Sequence, residues 1–121
     1  MNREQLLAHH KEMCDKALSI MVNKNHDYTG NSGNSPFANF ERCEAMGLCS
    51  TEIGLLVRVT DKVSRLSTFA NCGKLKVENE SYEDAILDII NYCVLLSGIV
   101  RTKQSRNKEL TKEESTIHYS V

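Results

Sequence analysis

The chain has 121 residues, which is long enough for one domain with a hydrophobic core and too short for two. Its 40% hydrophobic and 26% charged residues are ordinary for a globular protein. The formal net charge of -1 excludes the strong positive field that nonspecific binding to nucleic acid or to an anionic membrane needs. Any site for an anion must therefore be built from a few neighbouring cations.

One proline, six glycines and little strict alternation of apolar and polar residues predict an all-α fold of four helices. The first helix is expected from about residue 3 to 23, because apolar side chains recur there at spacings of three, four and seven. Residues 24–35, rich in asparagine and glycine, are expected to form a loop. Pro36 then starts a shorter helix, which Gly47 can close in a left-handed conformation.

The third helix is expected to begin at Ser50 or Thr51, which suit an N-cap, and to end near residue 71, before Cys72 and Gly73. Two different stripes run along it. The apolar stripe, predicted to face the core, comprises Ile53, Leu56, Val59, Val63, Leu66 and Ala70. The charged stripe comprises Arg58, Asp61, Lys62 and Arg65.

The fourth helix is expected from residue 79 or 81 to about 104, because Ser81 and Asp84 nearly match a capping box. Residues 1–104 then form a single domain, and the polar residues 105–121 form a mobile tail. A polar stripe follows this helix: Glu80, Asp84, Asp88 and Asn91. Because apolar side chains surround Asp88, a carboxylate there needs a cation, a metal or a hydrogen-bond donor.

Five cysteines, an odd number without CxxC spacing, predict reduced and buried thiols in a cytoplasmic protein rather than disulfides or a zinc site. They are Cys14, Cys43, Cys49, Cys72 and Cys93. The amino terminus has no apolar run suited to a signal peptide, and the longest apolar stretch, 93–100, is too short to span a bilayer. The sequence therefore predicts no membrane partner.

The short connection between the third and fourth helices predicts that they pack antiparallel and bring their polar stripes together. One interpretation is an interhelical network of salt bridges. The other is a site in which carboxylates bind Mg²⁺ and cations hold phosphate oxygens. The segment KNHDY supports the second, because Lys24, Asp27 and Tyr28 offer a cation, an acceptor and an aromatic face for a base. Asn39 is a weaker candidate for the same pocket.

Four segments together resemble a known family: KNHDY at 24–28, NF at 39–40, RVTDKVSR at 58–65 and ESYEDAILDIINY at 80–92. They are similar to small phage proteins grouped as nucleotide-modification-associated domains. Those proteins look like distant relatives of the all-α nucleoside triphosphate pyrophosphatases, the MazG-like and dimeric dUTPase group. The resemblance covers about residues 24–96. It implies a four-helix, MazG-like unit that oligomerises, binds a nucleotide and, in the hydrolytic relatives, cleaves between the α and β phosphates with Mg²⁺.

The first functional prediction is therefore a phage-type, Mg²⁺-dependent nucleotide pyrophosphohydrolase. Its catalytic carboxylates would be Asp61, Glu80, Asp84 and Asp88, of which the last three would bind the metal. Its nucleotide contacts would be Lys24, Asp27, Tyr28, Asn39, Arg58, Lys62, Arg65 and Asn91. The hydrolytic relatives carry an acidic pair on each of two helices, whereas the third helix here offers Asp61 among cations, which suit phosphate better than Mg²⁺.

The basic stripe favours a second prediction, a protein that binds a nucleotide without turnover and sequesters a linear or cyclic signal made by host antiviral defence. A third prediction is a structural or protein-binding helical module. Apolar residues on several sides of the third and fourth helices predict a homo-oligomer in the host cytoplasm, with no direct binding of nucleic acid. These residues are Leu55, Val57, Val94, Leu95 and Ile99.

Overall fold

A computed structural model describes residues 1–29, 35–73 and 81–119, with side chains described for 1–24, 35–73 and 81–113. Throughout these residues the chain is all-helical and contains no strand, which confirms the predicted fold class. The four helices are α1 (Arg3–Thr29), α2 (Ala38–Ala45), α3 (Thr51–Cys72) and α4 (Tyr82–Tyr119).

The ends of α3 follow the local signals in the sequence. The hydroxyl oxygen of Ser50 accepts a hydrogen bond of 3.2 Å from the backbone N–H of Ile53, which otherwise has no partner in the first turn. Gly73 closes the helix with a left-handed backbone, φ 70°, and donates its N–H to the Phe69 carbonyl. Gly47 likewise has a φ of 75°, directly after the turn that ends α2.

The first helix is longer than the sequence predicted, because α1 continues through Lys24 to Thr29 instead of ending near residue 23. The segment 24–29 holds neither glycine nor proline, so nothing in its backbone chemistry stops the helix before Gly30. The polar composition that predicted a loop is compatible with a solvated helix. As a consequence, Lys24 lies on a helix that packs against α4.

The fourth helix also exceeds its expected end at residue 104 and reaches Tyr119. Residues 105–119 contain no glycine or proline and include Lys, Glu, Arg and Leu, which favour helix. By length and composition alone, Tyr82–Glu113 is long and apolar enough to cross a membrane, which the expectation drawn from 93–100 did not allow. The same stretch provides buried core residues, including Leu87, Leu95 and Ile99.

Two apolar clusters form the core, and α4 contributes to both. The first comprises Phe40, Leu55, Leu95 and Ile99, from α2, α3 and α4. The second comprises Met13, Ala17 and Leu87, from α1 and α4. α4 is thus the central helix, packed against α3 along one side and against α1 along another.

The predicted core stripe of α3 is wrong at four positions. Ile53, Leu56 and Val63 are 50%, 43% and 51% exposed and Ala70 is exposed as well, whereas Leu55 is fully buried. Both sides of α3 are apolar, so helical periodicity alone does not select the one that faces α4. For the same reason Leu55, Leu95 and Ile99, expected on outward faces, lie in the core, and only Val57 and Val94 of that set are exposed.

The prediction of buried thiols is also wrong. Cys14, Cys72 and Cys93 are exposed, and Cys43 and Cys49 are half-buried. Each exposed cysteine follows the apolar periodicity of its helix but lies on a side that no other described element covers. All five are free thiols.

Candidate functional site

The predicted contact between the polar stripes of α3 and α4 is confirmed at one ion pair. Lys62 Nζ lies 2.9 Å from Asp88 Oδ2, and the two side chains are only 13% and 20% exposed. The pair joins the middle of α3 to the second turn of α4. Asp88 therefore has the cation that its apolar surroundings require.

A second lysine reaches the same carboxylate from α1. Lys24 Nζ lies 3.9 Å from Asp88 Oδ1, and its side chain is 49% exposed. The contact depends on the continuation of α1 beyond residue 23, which carries Lys24 alongside α4. Each oxygen of Asp88 thus faces a different ammonium group, donated by a different helix.

Arg58 lies one helical turn before Lys62 and adds a third cation to this region. Its guanidinium carbon is 4.7 Å from the centre of the Phe40 ring, a cation–π contact. The Phe40 ring meets the edge of Tyr92 in a T-shaped arrangement, with 6.4 Å between ring centres. Tyr92 follows Asp88 by one turn on α4. We call Lys24, Arg58, Lys62 and Asp88 the cationic cluster.

Asp84 caps the start of α4 together with Ser81, as the spacing of the two residues predicted. Its Oδ2 accepts a hydrogen bond of 3.0 Å from the Ser81 N–H, and its own N–H donates to the Ser81 hydroxyl. This reciprocal pair is a capping box at the start of α4. The two bonds with Ser81, followed by the positive charges of Lys24 and Lys62, hold the pKa of Asp84 below its ordinary value.

Asn91, predicted to contact the nucleotide, instead joins two helices. Its side-chain nitrogen donates a hydrogen bond of 2.9 Å to the Ala17 carbonyl of α1, and the residue is 3% exposed. This bond satisfies a polar group between the two apolar clusters. Its role in binding a ligand remains a prediction, but its amide group is already used for packing.

Asp61 and Arg65 pair with each other at the edge of the site. Arg65 Nη2 lies 3.3 Å from Asp61 Oδ2, one turn apart on α3, and Asp61 is 61% exposed. Asp61 is therefore directed to Arg65 rather than to the cationic cluster. Asn39 is half-buried on α2, next to Phe40.

Part of the predicted metal site and part of the predicted nucleotide contacts fall outside what the structure describes. Glu80 lies outside the described residues, and so do the side chains of Asp27 and Tyr28. Among the described residues no three His, Cys, Asp or Glu side chains are close enough together to hold a metal ion. Asp84 and Asp88 are the predicted metal ligands that the structure describes, and Mg²⁺ commonly binds one or two carboxylates together with water and substrate phosphates.

The structure contains a second polar cluster, around Lys103, that the sequence did not predict. Lys103 Nζ of α4 lies 2.8 Å from Glu44 Oε1 and 2.7 Å from Glu52 Oε1, and the Thr51 hydroxyl donates to the second oxygen of Glu44. The hydrogen bonds from Lys103 are the main cause of the lowered pKa of both glutamates. A cleft of about 350 Å³ lies beside this cluster and is also lined by Phe37. More than fifty positions separate Lys103 from either acid, so no local pattern connects them.

No family model, curated protein or solved structure matches the chain. The resemblance carried by KNHDY, NF, RVTDKVSR and ESYEDAILDIINY therefore stays a prediction. The all-α fold is assigned from the four helices that the structure describes. The candidate site is assigned from the contacts of the cationic cluster.

Proposed function

We propose that the protein binds a phosphorylated nucleotide at the cationic cluster. The observation that carries the proposal is the sharing of one carboxylate by two lysines from different helices. Asp88 holds both ammonium groups near one point, where the oxygens of a phosphate could bridge them in turn. Phosphate accepts several charge-assisted hydrogen bonds at once, and these are the strongest kind available to a lysine.

The balance of charge supports an anionic ligand. Arg58 places a guanidinium one turn from Lys62, and Lys24 is half-exposed, so two of the three cations are open to solvent. Among the described side chains, Asp88 and Asp84 are the acids that these lysines influence. The lowered pKa of Asp84 favours its ionised form. Counted formally, the three cations of the cluster outnumber Asp84 and Asp88 by one, which leaves a net positive charge.

The aromatic side of the cluster supports a nucleotide rather than free phosphate. Arg58 covers the buried ring of Phe40, and the half-buried Tyr92 meets the edge of that ring. Tyr92 is therefore the partly exposed ring near these cations on which a base could stack close to its own phosphate. Tyr28 is predicted to add a further ring.

Capture without turnover fits the contacts of the described residues better than hydrolysis does. Asp84 caps α4, Asp88 binds two lysines, and Asp61 pairs with Arg65. Hydrolysis with Mg²⁺ would need these carboxylates, with Glu80, to turn towards a metal that polarises the phosphate and activates water. We therefore place sequestration of a linear or cyclic nucleotide first and Mg²⁺-dependent pyrophosphohydrolysis second.

The test is calorimetric titration of the full chain with nucleoside mono-, di- and triphosphates and cyclic dinucleotides, with and without Mg²⁺, followed by chromatography of the recovered ligand. Lys62→Gln should weaken binding roughly tenfold or more, because a charged hydrogen bond contributes about 1.5–3 kcal/mol. Lys11→Gln is the matched control, since Lys11 pairs with Asp15 on the exposed side of α1. Thermal unfolding of both variants checks that the fold is intact.

The outcomes separate the three functions. Intact nucleotide recovered from a complex that Lys62→Gln weakens supports capture. Release of pyrophosphate that requires Mg²⁺ and is lost in Asp88→Asn supports hydrolysis. If no nucleotide binds, or if Lys11→Gln weakens binding as much as Lys62→Gln, the cationic cluster is only an ion-pair network between helices.

A further inference from the structure

The turn that joins α2 to α3 brings two cysteines together. Cys43 lies in the last turn of α2, and Cys49 lies two residues before the start of α3. The carbonyl oxygen of Cys43 accepts hydrogen bonds from the backbone N–H of Leu48, at 2.9 Å, and from that of Cys49, at 3.4 Å. The left-handed backbone of Gly47 lets the chain reverse at this point. The backbones of the two cysteines are therefore in direct contact.

Both sulfur atoms also approach the same place, the backbone of Gly54 in the first turn of α3. A methyl group on Gly54 would lie 2.8 Å from Cys43 Sγ and 3.9 Å from Cys49 Sγ, so the absence of a side chain there leaves room for the first sulfur. The two thiols share a hydrogen bond, which is the main cause of the raised pKa of Cys49. The two sulfur atoms are thus direct neighbours across the turn.

The surroundings hold the pair in place and leave it accessible. Cys43 Sγ donates a hydrogen bond of 3.1 Å to the Phe40 carbonyl, which anchors this side chain in the turn. Both cysteines are half-buried, so a small molecule can reach them. Because the thiolate is the form that attacks a disulfide, the raised pKa of Cys49 slows its reaction at neutral pH and lets the rate increase in alkaline solution.

We infer that Cys43 and Cys49 are a site of reversible disulfide formation, in which a low-molecular-weight disulfide such as oxidised glutathione is the oxidant. A disulfide requires Cα atoms within about 7 Å of each other and side chains that point together, and the turn supplies both conditions. The other three cysteines are exposed on three different helices and lack this arrangement: Cys14, Cys72 and Cys93. This inference does not depend on nucleotide binding.

The chemistry takes two exchange steps. One thiolate of the pair attacks a sulfur of the small disulfide, so that a mixed disulfide forms, the S–S bond of the reagent breaks and one small thiolate leaves. The second cysteine, as its thiolate, attacks the protein sulfur of the mixed disulfide and displaces the other small thiolate. In sum, two electrons pass from the protein sulfurs to the reagent. The two protons of the protein thiols end on the two small thiols that are released.

The disulfide would tie the end of α2 to the start of α3. Cys43 lies one turn after Phe40, which packs beneath Arg58, and directly before Glu44, which binds Lys103. The cross-link restricts the unfolded chain, whereas the folded turn already holds the two sulfurs together. The oxidised chain should therefore unfold at a higher temperature than the reduced chain.

The test is equilibration of the full chain with mixtures of reduced and oxidised glutathione in mildly alkaline buffer, followed by acid quenching, blocking of free thiols with N-ethylmaleimide, trypsin digestion and mass spectrometry. Cys43 and Cys49 occur in one tryptic peptide, residues 43–58, so their disulfide appears as a loss of two hydrogen atoms without added maleimide. The same titration in concentrated urea measures how readily the unfolded chain closes this short loop. The equilibrium constant should be roughly tenfold or more higher in the folded chain, and thermal unfolding of the oxidised chain should shift upwards by several degrees.

Two variants separate the folded geometry from mere closeness in sequence. Cys49→Ser should abolish the loss of two hydrogen atoms from the peptide. Gly54→Ala places a methyl group against Cys43 Sγ and should lower the equilibrium constant roughly threefold or more in the folded chain, with the helical circular dichroism retained. Cys14, Cys72 and Cys93 are internal controls, which should carry mixed glutathione disulfides instead of pairing.

Three results would overturn the inference. The first is an equilibrium constant in the folded chain no higher than in urea. The second is separate attachment of glutathione to Cys43 and Cys49, as at the three control cysteines. The third is an equilibrium constant that Gly54→Ala leaves unchanged, because the position of the sulfurs would then have no influence on the bond.

Discussion

The ion pair between Lys62 and Asp88 offers a sharp test of how burial changes the strength of a salt bridge in this protein. The perturbation is a double-mutant cycle with Lys62→Met, Asp88→Asn and the combined variant. Lys11 and Asp15 of α1 supply a matched pair, because their contact distance of 2.8 Å is almost the same as the 2.9 Å of the first pair. The two pairs differ in exposure: 80% and 63% for Lys11 and Asp15, against 13% and 20% for Lys62 and Asp88.

The expected magnitude follows from two opposing effects. At 2.9 Å and an effective dielectric constant near 20, the attraction between Lys62 and Asp88 is roughly 6 kcal/mol. Desolvation of the two partly buried ions removes several kcal/mol of this attraction. We expect a coupling of about 1–2 kcal/mol, above the roughly 0.2–1 kcal/mol of exposed pairs. Lys24 limits the cost of Lys62→Met, because it still faces Asp88 from α1.

The assay is urea unfolding of each variant at one protein concentration, in low salt and in about 0.5 M NaCl, where the Debye length is only a few ångströms. The coupling between Lys62 and Asp88 should persist in high salt, while that between Lys11 and Asp15 should be too small to resolve. Equal couplings for the two pairs, or loss of the Lys62–Asp88 coupling in high salt, would refute the claim that this ion pair is shielded from water.

Three further predictions concern the rest of the fold. Leu55→Ala should lower the free energy of unfolding by about 2–5 kcal/mol in urea titrations, because Leu55 is fully buried in the first apolar cluster. Ser81→Ala should cost about 1 kcal/mol in the same measurement by removing half of the capping box at α4. Hydrogen bonds from Lys103 depress the pKa of Glu44 and Glu52 below their ordinary value near 4.5; the resulting stabilisation should be complete above that pH and lost as the pH falls through the lowered values. Thermal unfolding between pH 7 and 3 should therefore show a weaker acid dependence in Lys103→Met than in the wild type, and an unchanged dependence would contradict the assignment.

Helix boundaries set by backbone chemistry were predictable, and those inferred from polarity were not. Ser50 and Gly73 bound α3 as expected, because a hydroxyl cap and a left-handed glycine act on their nearest neighbours in sequence. Residues 24–29 and 105–119 were expected outside helices because they are polar. Both segments are helical, and neither contains the glycine or proline that would end a helix.

The candidate site was predictable in part, for a similar reason. The antiparallel contact of α3 and α4 followed from their short connection, so the Lys62–Asp88 pair could be expected. The use of Asp84 as a cap competed with its use as a ligand, and the sequence allowed both. The bond from Asn91 to Ala17 joins positions 74 residues apart, so it depends on where α1 packs.

The sequence by itself determined the helical class, the ends of α3 and the presence of two polar stripes on neighbouring helices, because these depend on residues a few positions apart. Only the tertiary structure decided which apolar side of α3 is buried, which cations share Asp88, and that Lys103 joins Glu44 to Glu52. The physical reason is that α3 and α4 are apolar on more than one side. Local periodicity then permits several packings, and the contacts that α1 and α2 make with α3 and α4 select one of them.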